Sequence, residues 1–237
     1  MDFEREEGQT LACCATLQAD TTTVVKAAGG TVAGSVKHPL NASDFSSFLL
    51  QAQSSKAQIL GLANAGGDTV NAIKAANEFG VTKSMKMAGL LVFINDIHSL
   101  GLKTTQGMYL TDSWYWNQTP EARAWSRRFF EKFKRMPSSV QAGDYSAASH
   151  YLNAVKAAKT DDGDKVLAQM RKTKINDFYA RNAYIREDGR MVHDMYLMQV
   201  KSPDQSKEPW DYYNVIATIP GDEAFTTKAD TKCSLWK

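Results

Sequence analysis

The sequence predicts an α/β fold in which βα units stack on a mostly parallel sheet. Helix-period and strand-like segments alternate from residue 17 onward, with turn residues at each change. The run Ile59-Leu60-Gly61-Leu62-Ala63 shows no polar alternation, as expected for a parallel strand covered on both faces. The chain has 237 residues, 43% apolar and 23% charged, a composition that supports a packed core and excludes a disordered or fibrous chain.

Leu17, Thr21, Val24, Val25 and Ala28 recur at helical spacing, and Gly29-Gly30 closes that helix. A short strand is expected over 31–36, broken by Pro39. Ser43 is placed to cap the next helix, whose apolar face is Phe45, Phe48, Leu49 and Ala52. A central strand over 57–63 follows. The turn Asn64-Ala65-Gly66-Gly67-Asp68 opens a helix carrying Val70, Ile73, Ala76 and Phe79, with Asp68 as its expected N-cap and Gly80 as its end. Further strands are expected over 85–94 and 108–111. Thr119-Pro120-Glu121 is then a strong helix start, combining a capping hydroxyl, proline at the first helical position and an acid in the first turn. Ala122, Trp125, Phe129 and Phe133 form its stripe. A second helix is expected over 140–158 with Tyr145, Ala148, Leu152 and Val155 on its apolar side, and a third over 164–172. Asp188-Gly189 lies between two strand-like runs, a strong hairpin signal. Residues 212–219 read as an edge strand before the tail.

Lys plus Arg total 28 and Asp plus Glu 26, so the formal charge is only +2, too small and dispersed to point to nucleic acid or an anionic membrane. No apolar stretch approaches the roughly 18 residues of a membrane span. The opening Met1-Asp2-Phe3-Glu4-Arg5-Glu6-Glu7 is acidic where a secretory signal is basic, so the sequence as given carries no export signal. Cys13, Cys14 and Cys233 leave an odd count, and adjacent cysteines bridge only through a strained ring, so unpaired thiols are expected.

Two segments attract attention as sites. Gly61 to Asp68 has the G-x-x-x-x-G spacing of a phosphate loop, but Gly67 and Asp68 stand where Lys and Ser/Thr are required, which argues against an ATP site. A turn leading from a strand into a helix N-terminus remains, able to meet a polar ligand atom, with Asn64 as its best candidate. The second segment is Asp112-Ser113-Trp114-Tyr115-Trp116-Asn117. Successive strand side chains alternate direction, so the three adjacent aromatics cannot all face one core and at least one is expected to face a cleft, with Trp114 and Trp116 as the candidate contacts; Tyr145 is a further candidate hydroxyl. The histidines His38, His98, His150 and His193 are scattered and read as structural. With no nucleophile, metal cluster or nucleotide fingerprint, no catalytic residue, cofactor or metal is expected, and binding is favoured over catalysis.

Residues 21–39, Ser43-Asp44-Phe45, Ala63 to Asp68, Met87-Ala88-Gly89-Leu90 and residues 185–199 resemble the branched-chain-amino-acid type of periplasmic substrate-binding proteins, the type I receptors of ABC transporters. The resemblance covers the chain from about residue 17 to the end. It implies a three-layer αβα architecture of two lobes joined by three strands, closing on a small ligand between them. It also implies an N-terminally truncated chain: 1–16 an atypical segment, 17–107 most of the second lobe, 114–177 a helical return into an incomplete first lobe, and 183–237 the return to the second lobe with hairpin and tail. By the same resemblance the ligand loops are Asn64, Ala65 and Gly66, and residues 91–95 with Leu91, Phe93 and Asn95. The implied solute class is an amino acid or an aromatic or branched carboxylate; the second loop is apolar where the family often carries an acid for an amino group, which together with Trp114 to Trp116 favours the aromatic or branched acid over an α-amino acid. The implied partners are that solute and a membrane permease, with no nucleic acid; the implied state is monomeric when complete, and the implied location periplasmic. The alternatives are a ligand-sensing domain of a receptor or regulator, and a flavodoxin-like or hydrolase-like α/β enzyme using the Gly66-Gly67 turn.

Overall fold

A computed structural model of the chain describes residues 12–231 and 233–236. Most of the N-terminal segment singled out above, residues 1–11, lies outside the described residues, as does the side chain of Cys13. Cys14 is buried and Cys233 exposed. The described residues form two compact units. One holds the chain through Thr111 together with Met198–Asn214; the other holds Asp112–Leu197 and the residues from Val215 on. The main sheet has the strand order β1-β2-β3-β6-β7, and the three unit boundaries fall inside β3, β6 and β7.

In the first unit, helices α1 (Ala12–Ala27) and α2 (Ser46–Ser54) precede β1 (Ile59–Leu62). Helix α3 (Gly66–Glu78), β2 (Lys86–Gly89), α4 (Ile94–Leu100), α5 (Leu102–Thr105) and β3 (Tyr109–Asp112) follow. β1 pairs β2 in parallel from Ile59↔Lys86 to Leu62↔Gly89, and β2 pairs β3 in parallel at Ala88↔Tyr109 and Gly89↔Leu110. This is the βα-repeat expected from the alternating pattern. Leu62, Ile73, Ala72, Ala76 and Ile97 are fully buried between sheet and helices. Gly89 permits the closest approach, since a Cβ there would lie 2.5 Å from Val92 and 2.6 Å from Met108.

Four local expectations for this unit are corrected. Residues 31–36 form no strand; five of the six are exposed, so β-branched content alone does not pair them. β1 is an end strand among the described residues, not a central one: Gly61 offers no side chain and Ile59 is 61% exposed, so its apolar run covers less surface than it suggests. The strand expected over 85–94 stops at Gly89, and Ile94 begins a helix. At the start of α2 the acceptor for the Ser46 N–H is the Asp44 carboxylate (2.8 Å), not Ser43.

The second unit carries α6 (Pro120–Phe133), α7 (Ser139–Ala158), α8 (Gly163–Lys172), β4 (Tyr184–Ile185) and β5 (Met191–Val192). β6 (Met195–Val200) starts in this unit and continues into the first, β7 (Tyr213–Ile219) starts in the first and continues into this one, and α9 (Gly221–Ala224) closes the series. Thr119 caps α6 as expected, its side chain accepting the Ala122 N–H at 3.0 Å. The hairpin forms as expected: Tyr184 pairs Val192, Ile185 pairs Met191, and Gly189 takes φ +86°, a conformation only glycine adopts freely. Helix α7 buries a different face from the one its large residues mark. Ala142, Ser146, His150 and Ala154 are buried, whereas Tyr145 and Leu152 are 47% and 63% exposed. Ser146 donates to Asp177 (2.6 Å) and His150 lies 3.1 Å from the Met170 carbonyl in α8, so a small, polar stripe makes the contact. Among the described residues no helix is long and apolar enough to cross a membrane.

Candidate functional site

Because β1 and β2 are parallel neighbours, the loops that leave their C-terminal ends lie side by side, and the Leu90 N–H donates to the Leu62 carbonyl across them (3.0 Å). Ligands in open α/β sheets gather outside such strand ends. The first loop enters α3 through Ala65, which occupies the N-cap position with no side-chain cap. Gly66 and Gly67 are exposed, and a Cβ at either would meet open space. Asp68 is not the N-cap. It stands in the first turn, where its Oδ2 accepts the Asn41 N–H at 3.1 Å and ties the preceding segment to the helix. The result is an accessible helix N-terminus whose backbone donors favour an anionic or carbonyl oxygen.

Asn64 does not present its side chain to this opening. It is fully buried: Thr69 Oγ1 donates to its Oδ1 (2.9 Å), and its Nδ2 lies 3.2 Å from His38 Nε2. With the amide nitrogen as donor, His38 Nε2 is an acceptor, and Nδ1–H donates to the Pro39 carbonyl at 2.8 Å. Burial pulls the His38 pKa below its ordinary 6.5, against the raising influence of the Pro39 carbonyl and Asp68, which agrees with this neutral tautomer. Asn64 therefore fixes the loop from within, and Gly66 and Gly67 are its exposed part.

The second loop holds Leu91, Val92 and Phe93 and then starts α4. Val92 is buried, while Leu91, Phe93 and Asn95 are half-buried. Asp96 Oδ2 accepts the Phe93 N–H at 2.9 Å, and burial raises the Asp96 pKa despite that bond. Asn95 Oδ1 is a buried acceptor with no hydrogen-bond partner. The two loops together offer backbone donors beside an apolar wall.

In the other unit the aromatic segment behaves differently from expectation. Trp114, Tyr115 and Trp116 are all buried, at 1%, 4% and 2% exposure. Trp114 Nε1–H donates to the Phe178 carbonyl (3.1 Å), and its ring meets Trp125 and Phe178 edge-on at 5.9 and 6.2 Å. Alternation along the strand does not expose one of these rings, because the segment leaves β3 at Asp112 and runs on as a loop before α6. Tyr145 packs its ring against Trp125 at 5.4 Å. The sequence placed Asp112 only within a wider segment, yet it is the most perturbed group here. Burial raises its pKa to about 6, opposed by bonds from the Ser139 hydroxyl and from the Ser113 and Trp114 backbone, the Ser113 N–H lying at 2.7 Å. The signal available was the pairing of Asp112-Ser113 at a strand end with Ser138-Ser139 at a helix start. Among the described residues no group of three or more His, Cys, Asp or Glu side chains could hold a metal ion.

A family model described as periplasmic binding protein matches residues 8–207 of the chain. Among solved structures, a periplasmic binding protein from Burkholderia mallei is 65% identical, with a TM-score of 0.89; the match covers 100% of this chain and 61% of that one. A branched chain amino acid ABC transporter periplasmic ligand-binding protein from Burkholderia xenovorans is 38% identical, with a TM-score of 0.88, covering 100% of this chain and 62% of that one. At the level of fold, a solute binding protein of an ABC transporter from Rhodopseudomonas palustris, solved with 3,4-dihydroxybenzoic acid, is 21% identical over 86% of this chain and 56% of that one, with a TM-score of 0.72. No curated protein matches the chain. The chain thus spans about three fifths of the length of the solved relatives it matches.

Proposed function

Since the chain belongs to the periplasmic binding protein family, we propose that it takes part in solute uptake by an ABC transporter, holding a small carboxylate-bearing solute at the loops after β1 and β2 and meeting a permease at the periplasmic face of the membrane. The observation that carries the reading is the pairing of an accessible, uncapped α3 N-terminus with an apolar loop at the ends of adjacent parallel strands. The backbone at Ala65 and Gly66 receives the carboxylate, and Leu91 and Phe93 line its apolar body. Asn95 Oδ1, buried and lacking a donor, is available to a hydroxyl or amino group of the solute. Trp114 and Trp116 are left out of the contact set, because both are buried in packing. The role is binding, not turnover. The names of the relatives support both solute classes: one is a branched-chain amino acid protein, and another was solved with a hydroxylated benzoic acid.

A thermal melt with leucine, valine, benzoate and 4-hydroxybenzoate tests the reading. A solute at about 100 times its Kd adds roughly 2.7 kcal/mol and raises the Tm of a chain this size by several degrees. Gly67→Asp fits without strain, since its Cβ meets nothing, and it places a carboxylate where the solute's would sit. The expected result is a shift from one solute class that Gly67→Asp abolishes. No shift from any class would overturn the solute-binding reading, and a shift that survives the substitution would overturn the assignment of the loop.

A further inference from the structure

A second opening lies wholly within the other unit, remote in sequence from the loops after β1 and β2. It has a volume of about 130 Å³ and is bordered by the turn before α6, the loop between α8 and β4, and the residues between β5 and β6. A cavity of about 150 Å³ takes up a molecule the size of benzene, so this one suits a compact group and not a drug-sized ligand.

Its wall chemistry is one-sided. Phe178, Tyr179 and Tyr196 supply three aromatic rings, and Asp177 and Asp194 supply two carboxylates. Asp177 is fixed in place: its Oδ2 accepts from Ser146 (2.6 Å), and its Oδ1 accepts the N–H groups of Tyr179 and Ala180 at 2.8 and 3.1 Å. Asp194 is exposed, and its Oδ1 accepts the Gly221 N–H at 3.0 Å. His193 packs edge-on against Tyr179 at 5.7 Å. Its Nδ1 donates to the Asp194 carbonyl at 2.8 Å, which leaves Nε2 as an acceptor, and burial pulls its pKa below the ordinary 6.5. Arg181, the cation among the described residues that line the cleft, is paired with Glu121 at 2.9 Å, and Arg190 lies close enough to act on His193. One face of Phe178 is stacked on Trp125 at 4.4 Å; the cleft is lined by aromatic side chains, carboxylates and an imidazole acceptor, with its guanidinium ion-paired at the surface.

We propose that this cleft is a binding site for a small organic ammonium ion, with the rings of Phe178, Tyr179 and Tyr196 facing the cation and Asp194 balancing its charge. Ring faces carry negative potential and attract such cations most strongly where water is displaced, and a nearby carboxylate adds the Coulombic part. The site is independent of the solute loops in the first unit.

Calorimetric titration with tetramethylammonium chloride, against sodium chloride at matched ionic strength, tests it directly. Its neutral counterpart is tert-butanol, which has the same five heavy atoms. The expected result is saturable binding of the cation, with tert-butanol weaker by about tenfold or more. Asp194→Asn keeps an acceptor for Gly221, and Tyr196→Leu removes a ring; each is expected to weaken the cation about fivefold and leave the Tm shift by the carboxylate solutes in place. Equal binding of cation and alcohol, absence of saturable cation binding, or binding unchanged in both variants would overturn the proposal. The comparison between the two probes needs no variant, so a substitution that fails to fold leaves the test standing. A negative result here has no bearing on the carboxylate panel, and a negative panel has none on this site.

Discussion

Asp112 is the residue at which burial most changes chemistry. Its pKa stands at about 6 in the folded protein against 3.8 for an unperturbed aspartate, so the folded state holds the proton more tightly than the unfolded chain. The sign follows directly: this group's contribution to stability is fully present below about pH 3.8 and is lost as pH rises through about 6, with a total of about 3 kcal/mol. Asp112→Asn keeps the shape and cannot ionise. Urea unfolding at pH 4 and at pH 8 is expected to show the variant gaining on the wild type at the higher pH, and parallel pH profiles for the two proteins would refute the account. Asn64 makes the contrasting case of a buried polar group without charge. Asn64→Ala leaves His38 Nε2 and the Thr69 hydroxyl without the partner each has in the folded protein, which is expected to cost about 2 to 3 kcal/mol. A change below about 0.5 kcal/mol in urea unfolding, the range of an ordinary surface substitution, would show that water replaces the amide.

At the scale of elements, the sequence was legible wherever a local rule decides the conformation. Thr119-Pro120-Glu121 starts α6 because capping and a fixed φ act within one turn, and Asp188-Gly189 makes its hairpin because Gly189 alone accepts the positive φ. It was illegible where packing partners decide. Helix α7 illustrates this: size and apolarity point to Tyr145 and Leu152, but the buried face is Ala142, Ser146, His150 and Ala154. Small residues let α7 lie close to its neighbours, as the 3.4 Å between a Cβ built on Gly143 and the Tyr179 hydroxyl shows. The same reason limited the site. Turn chemistry located the Asn64 to Gly67 opening, but nothing local revealed that His38, 26 residues away, would take up the Asn64 side chain. Two substitutions on α7 distinguish the faces. Leu152→Ser is expected to change stability by no more than about 0.5 kcal/mol, and Ala142→Leu to cost about 1 to 3 kcal/mol through overpacking. For a chain of this length each kcal/mol moves Tm by roughly 2 to 4 °C, so differential scanning fluorimetry resolves the two. A larger loss at Leu152 than at Ala142 would reverse the assignment.

At the scale of the whole molecule, the telling feature is how the chain divides. It passes from one unit to the other between 111 and 112, between 197 and 198, and between 214 and 215, each time inside a strand of the main sheet. A flexible linker would allow either unit to unfold alone, as linked domains commonly do. A strand that contributes residues to both units couples them differently, because melting its first part frees the ladder groups and backbone constraint of its second. Three such strands make this coupling the dominant connection along the chain. The order of βα repeats was readable from the first half of the sequence, and the resemblance implied a change of lobe between 107 and 114, but nothing local in β6 or β7 marks the other two crossings. The expectation is a single cooperative transition. Trp210 reports on the first unit, while Trp114, Trp116, Trp125 and Trp236 report on the second, so Trp210→Phe restricts the tryptophan signal to one side. Urea unfolding of wild type and Trp210→Phe, each followed by fluorescence and by far-ultraviolet circular dichroism, is expected to give coincident midpoints, the accepted sign of two-state behaviour. A fluorescence midpoint in Trp210→Phe that departs from the dichroism midpoint would mean that the units unfold separately, and that the shared strands tether them without coupling their stability.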